Sequence, residues 1–120
     1  MPVLLIADDE TYIRDVIRRG LPSSHYTVLE ASEGNEAIEI LKNNHVDILI
    51  LDLVMPQKGG IETFIEIRDT NKELKIIVIT GKIRMEDDAV QGLTEHFQVD
   101  AVLSKPFDME ELVNLVKEFS

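Results

Sequence analysis

The chain has 120 residues, 44% of them hydrophobic, no cysteine, and a formal net charge of −11. Its length and apolar content suit one compact domain, and the missing thiols exclude disulfides, thiolate metal sites and cysteine nucleophiles. The acidic balance argues against nucleic-acid or anionic-membrane binding by this chain, and no apolar run is long enough to span a bilayer.

Two hydrophobic periods alternate from end to end. Residues 3–7 read as a buried strand. No basic segment precedes them, so no secretory leader is expected and the cytoplasm is the expected compartment. Ile13, Val16, Ile17 and Leu21 then recur at helical spacing, and Gly20 and Pro22 help to end that helix. Residues 26–31 form a second predicted strand, with Val28 and Leu29 apolar. Ser32 is placed to cap a helix carrying Ala37, Ile38 and Leu41, which Asn43-Asn44 breaks. Residues 46–51 are apolar apart from Asp47, as expected of a central strand covered on both faces.

Ile61, Phe64 and Ile65 mark a third helix after Gly59-Gly60. Residues 75–79 are a fourth strand. Ala89, Leu93 and Phe97 share a helical stripe with Val90 beside it, although Gly92 weakens this helix. Residues 99–103 are a fifth strand. The last helix has Asp108 and Glu111 in a capping-box arrangement, with Leu112, Val116 and Phe119 on one face. Five strands alternating strictly with five helices imply right-handed crossovers and helices on both faces of a parallel sheet.

Polar residues follow four of these strands. Asp8-Asp9-Glu10 follows the first, Asp52 the third, Thr80 the fourth and Lys105-Pro106 the fifth. In an open parallel sheet, the carboxyl ends of the strands border one crevice. Clustered carboxylates resist full ionisation there, and a hard divalent cation relieves the repulsion. Mg²⁺ fits, because it takes one or two carboxylates and shares oxygens with phosphate. Asp52 can serve as a nucleophile, since carboxylates form aspartyl-phosphates. Thr80 offers a hydroxyl to a phosphoryl oxygen, and Lys105 offers positive charge.

Each residue taken singly has a plainer reading. Asp9 can be a helix cap, Asp8 a solvated loop acid, Thr80 an ordinary strand residue and Lys105 a surface lysine. Those readings leave the acid at the end of the central strand unexplained. Pro106 directly after Lys105 suggests a constrained turn, with a cis bond one way to build it.

Together, Asp8-Asp9-Glu10, Asp52 with Met55-Pro56 and Gly60, Thr80-Gly81, and Lys105-Pro106-Phe107 resemble the receiver domain of two-component response regulators. The resemblance covers essentially the whole chain. It implies a flavodoxin-like, doubly wound α/β fold with five parallel strands in the order 2-1-3-4-5, the order of chemotaxis receivers. It also implies that Asp52 is the phosphoacceptor. Asp9 would bind Mg²⁺ directly, Asp8 would assist, and Asp52 and the Val54 backbone carbonyl would be further ligands. Thr80 would contact the phosphoryl group, and Lys105 would pair with Asp52 or its phosphate across a cis Lys105–Pro106 bond. The implied partners are a histidine kinase or histidine phosphotransfer protein, which supplies the phosphoryl group, and a downstream protein.

The chain departs from the family pattern in two ways. Many receivers carry Tyr or Phe where this chain has Val102, and a valine has no ring to swing in concert with Thr80. Val54 and Lys82 flank the expected path of hydrolytic water, and an apolar Val54 cannot orient that water. Slow self-dephosphorylation is therefore expected. The helices around residues 86–120 carry Glu86, Asp87, Asp88, Glu95, Glu110 and Glu111, an acidic face that is either an output surface or simply solvated.

The expected function is a phosphorylation-dependent switch built from one receiver domain over residues 1–120. The sequence ends at Ser120 after the fifth helix, so output through a partner or a phosphorelay is expected. A longer natural protein would make it the receiver part of a larger regulator or hybrid kinase. Two rivals stand beside this reading. A Mg²⁺-dependent aspartate-nucleophile phosphohydrolase would place a second acid two residues after the nucleophile, where this chain has Val54. A pseudo-receiver that only binds partners would not need Asp8, Asp9, Asp52, Thr80 and Lys105 intact.

Overall fold

A computed structural model of the protein describes residues 1–55, 59–81 and 88–120, apart from the side chains of residues 88–90 and 94. Ten elements alternate: β1 (Val3–Ala7), α1 (Thr11–Gly20), β2 (Thr27–Ala31), α2 (Gly34–Asn43), β3 (Ile48–Asp52), α3 (Gly60–Thr70), β4 (Lys75–Thr80), α4 (Asp88–His96), β5 (Ala101–Ser104) and α5 (Met109–Phe119). The strands form one parallel sheet in the order β2-β1-β3-β4-β5. This is the doubly wound α/β fold that the alternation and the resemblance imply.

Strand residues alternate between two cores because successive side chains point to opposite faces. Leu4, Ile6, Ile48, Ile50, Ile77, Ile79 and Leu103 pack with Ile17 and Leu21 near α1 and with Leu112 and Val116 of α5. Leu5, Ala7, Leu49, Leu51, Ile76 and Val78 pack on the other face with Ala37, Phe64, Ile67 and Leu93. The central strand β3 is buried at every position, which explains its nearly unbroken apolar sequence.

Several boundaries differ from the sequence reading, each for a local hydrogen-bonding reason. Tyr26 lies before β2, in a turn where its amide donates to the Pro22 carbonyl at 3.1 Å. β3 starts at Ile48, because the preceding Asp47 turns its carboxylate back to accept from the Val3 amide at 2.8 Å. β5 starts at Ala101, because the Asp100 carboxylate accepts from the Ile76 amide at 2.8 Å. α2 is capped by Glu33, which accepts from the Glu36 amide at 2.7 Å. Ser32 is not the cap; its amide and hydroxyl instead donate to Glu36 Oε1.

Asn43 and Asn44 stop α2 as expected, donating side-chain amides to the Glu39 and Ile40 carbonyls. Asp108 caps α5 by accepting from the amide of Glu110, the second helical residue, at 3.0 Å; the capping box expected with Glu111 would use the Glu111 amide instead. Ile65, placed on the apolar side of α3, is 39% exposed. Phe64 and Ile67 carry the burial of that helix. The expectations for Pro56, Lys82, Glu86 and Asp87, and for the side chains of Asp88, Ala89 and Val90, fall outside the described residues.

Candidate functional site

The parallel register brings the ends of β1, β3, β4 and β5 to one edge. The Asp8 amide extends the β1–β2 ladder by donating to Ala31 at 3.1 Å, and the Leu53 amide extends β3–β4 by donating to Ile79 at 3.0 Å. The Lys105 amide donates to the Thr80 carbonyl at 2.7 Å, which fixes the start of the loop after β5. The Lys105–Pro106 peptide is cis, as the resemblance implies. An open cleft of about 550 Å³ lies above this edge, lined by Asp9, Glu10, Asp52, Val54, Met55, Gly81 and Lys105.

Lys105 stands at the centre of the charge arrangement. Its Nζ lies 3.1 Å from Asp8 Oδ2, 3.3 Å from Asp52 Oδ2 and 3.4 Å from Glu10 Oε1. Asp8 and Asp52 are only 1% and 2% exposed, so Asp8 is not a solvated loop acid and Lys105 is not a free surface lysine. Asp52 Oδ1 accepts from the Val54 amide at 3.0 Å, and Asp8 Oδ1 accepts from the Glu10 amide at 2.8 Å. The α1 cap position belongs to Glu10, whose side chain makes no capping bond. Asp9 is therefore not the cap and stays exposed at the cleft.

Burial pushes the Asp52 carboxyl up to about 6, and the nearby Asp8 charge adds to the shift, against the Val54 amide and the Lys105 ammonium. Burial also raises Asp8, although the Glu10 amide and Lys105 favour its ionised form. For Lys105, burial opposes the charge, but the Asp52 and Asp8 carboxylates together outweigh it and raise its pKa. The site is thus overloaded with negative charge, and one ammonium does not fully compensate it.

The donor set fits a hard divalent cation. One carboxylate oxygen from each of Asp8, Asp9 and Glu10 lies within 4.8 Å of the others. Asp8 Oδ2 is buried and meets Lys105 as an ion pair without a well-aligned hydrogen bond. Oxygen ligands of this kind suit Mg²⁺ or Ca²⁺ in preference to softer metals.

Thr80 is buried, and its hydroxyl faces the Leu103 carbonyl at 3.5 Å. At this strand end, Gly81 lines the cleft. Val102 is partly buried against the core that includes Leu93, so no aromatic ring stands at that position. Gly60 holds the loop after β3 tightly against the site. Its amide donates to Leu53 at 3.1 Å, and an added Cβ would overlap the Asp52 carbonyl and the Leu53 backbone. Sequence reasoning did not assign roles to Glu10 or to Arg14, whose guanidinium donates to the Asp8 carbonyl at 2.7 Å. Glu10 was visible as the third acid of a run; Arg14 gave no signal beyond a basic residue on the predicted first helix.

Fold and cleft together define a doubly wound α/β domain with an acidic, lysine-bearing site at the carboxyl edge of its sheet. The chain belongs to the response regulator receiver domain family, which matches residues 4–117. Response regulator MprA of Mycobacterium sp. (strain KMS) is 37% identical over 114 residues, covering 94% of this chain and 48% of that protein. The chain thus spans about half the length of the curated relatives it matches. Among solved structures, the receiver domain of AraT from Geobacillus stearothermophilus superposes with a TM-score of 0.83 at 35% identity, covering 98% of this chain and 91% of that one. TrrA from Thermotoga maritima, in complex with Mg(2+)-BeF, gives 0.85 at 31% identity and covers all of both chains. No helix among the described residues is long and apolar enough to cross a membrane.

Proposed function

We propose that this domain is a phosphorylation-dependent switch in which Asp52 accepts a phosphoryl group from a histidine kinase or histidine phosphotransfer protein. The observation that carries this reading is the pair of buried carboxylates, Asp8 and Asp52, facing one lysine ammonium at 3.1 and 3.3 Å. Asp8, Asp9, Asp52 and the Val54 carbonyl would hold Mg²⁺; the TrrA complex with Mg(2+)-BeF supports that choice. When bound, the cation supplies charge neutralisation at the transferring phosphoryl oxygens.

An Asp52 carboxylate oxygen attacks phosphorus as the donor's P–N bond breaks, and the departing imidazole takes up a proton. Lys105 keeps its proton and stabilises the added negative charge. Thr80 would turn its hydroxyl from the Leu103 carbonyl toward the phosphoryl group, shifting the loop after β4 between two arrangements. The altered surface would then be read by a downstream protein, with the domain acting in the cytoplasm and without direct contact to nucleic acid or membrane.

The domain catalyses only its own phosphorylation and slow dephosphorylation. Val54 offers the cleft no side-chain acid or hydrogen-bonding group, which disfavours both rapid hydrolysis and turnover of phosphomonoesters. The test is the intact-protein mass after incubation with Mg²⁺ and a small acyl phosphate, beside Asp52→Asn. A single Mg²⁺-dependent phosphoryl adduct that is absent from the variant supports the reading. A folded protein with no adduct overturns it in favour of a pseudo-receiver.

A further inference from the structure

We propose that Arg14 is a positioning residue for metal binding, one that fixes the peptide plane between Asp8 and Asp9. This inference rests on the phosphoryl-acceptor reading of the site. Arg14 lies on α1, outside the cleft, and its side chain is 15% exposed. Its guanidinium makes three contacts in three directions. Nη1 donates to the Asp8 carbonyl at 2.7 Å, Nε to Glu30 Oε1 at 3.0 Å, and Nη2 to Thr11 Oγ1 at 3.3 Å.

The Asp8 carbonyl and the Asp9 amide belong to one planar unit. Holding that oxygen therefore fixes the direction in which the chain leaves β1, and with it the starting point of the Asp9 side chain. Asp8 itself is held by its amide, by one carboxylate oxygen bonded to the Glu10 amide and by the ion pair with Lys105. Asp9 is exposed and depends on its backbone for placement. Arg14 is anchored in turn by Glu30 on β2, whose other oxygen accepts from Arg18 Nε at 2.9 Å. The result is a brace from the second strand, across α1, to the peptide joining two acids of the metal-binding cluster. A lysine retains the charge but cannot reproduce a planar fork with three contacts.

The test compares the parent chain with Arg14→Lys, Arg14→Gln and Glu30→Gln, each checked for native circular dichroism. Mg²⁺ affinity is measured by calorimetry, and Asp9 amide exchange is measured by NMR in the metal-free protein. In both Arg14 variants the Mg²⁺ dissociation constant is expected to rise about tenfold, and the Asp9 amide to exchange faster. Glu30→Gln shifts both readouts the same way by less, and carries the test if the Arg14 variants do not fold. The maximal phosphorylation rate at saturating Mg²⁺ returns to the parent value.

Unchanged Mg²⁺ affinity in the folded variants overturns the proposal while leaving the switch reading intact. So does Arg14→Lys matching the parent, since charge alone would then suffice. A parent chain that binds no Mg²⁺ overturns the switch reading, and this proposal with it.

Discussion

Asp52 is buried between another carboxylate and a single ammonium, and its environment favours the protonated form. Because its folded pKa of about 6 lies above the ordinary value of 3.8, the folded state holds this proton over a pH range where the unfolded state has lost it. Stability from this group therefore falls as pH rises from about 4 to about 6, and the cost is fully present at pH 7. Asp52→Asn is expected to stabilise the metal-free protein at pH 7 by on the order of 2–3 kcal/mol. The gain should shrink toward pH 4, as denaturant melts at the two pH values would show. An equal gain at both, or none, would remove burial as the source of the shift. Mg²⁺ should stabilise the parent more than the variant, because it relieves the same repulsion. At Val54 the expectation is kinetic. Val54→Asn should shorten the phosphoryl lifetime several-fold, measured as loss of the mass adduct, because an amide can orient the attacking water.

Elements place these residues through the two-residue repeat of the strand. Asp8, Asp52 and Lys105 share parity with Ile6, Ile50 and Leu103, which face α1 and α5. Thr80 shares parity with Val78, which faces the opposite core. Three charges thus converge, while the Thr80 hydroxyl faces the Leu103 carbonyl. Gly60 sets how closely α3 begins beneath β3. Gly60→Ala should cost about 1–3 kcal/mol and depress phosphorylation, because the methyl group overlaps the Asp52 backbone. A stable, fully phosphorylatable variant would show that this contact relaxes at no cost.

Arg68 performs a different task at the far edge of the sheet. It is 2% exposed and donates to the Gln98 and Leu74 carbonyls and to Asp100. It ties α3 to the starts of β4 and β5. Arg68→Met takes the guanidinium away from the Gln98 and Leu74 carbonyls and from Asp100, which keeps its bond from the Ile76 amide, and should cost about 3–5 kcal/mol, read from chemical denaturation. The surviving folded fraction should still be phosphorylated at the parent rate, since the substitution lies at the opposite edge from the cleft.

At the scale of the molecule, 23 acids against 12 bases leave a net charge of −11 on 120 residues. Like charges repel across so small a body, and salt screens that repulsion with a Debye length of about 10 Å at 0.1 M. Thermal stability should therefore rise with NaCl between low and physiological ionic strength. A melting temperature that falls with salt would mean that specific pairs, such as Arg14–Glu30, outweigh the net repulsion.

The alternation of elements, the two-sided burial of β3 and the strand ends that carry Asp8, Asp52, Thr80 and Lys105 are legible in the residue order. These are local properties, written in hydrophobic period and in residue order. Strand order came from the family resemblance, because periodicity says nothing about which strands pair. The boundaries at Tyr26, Asp47, Ser32 and Asp100 were decided by hydrogen bonds that compete with ladders and caps, one of them donated to Asp47 by the amide of a residue 44 positions away. That one ammonium serves three carboxylates, that Thr80 faces Leu103 and that Arg14 braces the Asp8 carbonyl follows from packing. Each depends on residues brought together by the parallel register or by helix packing. Their distances follow from three-dimensional geometry, which spacing along a chain does not encode.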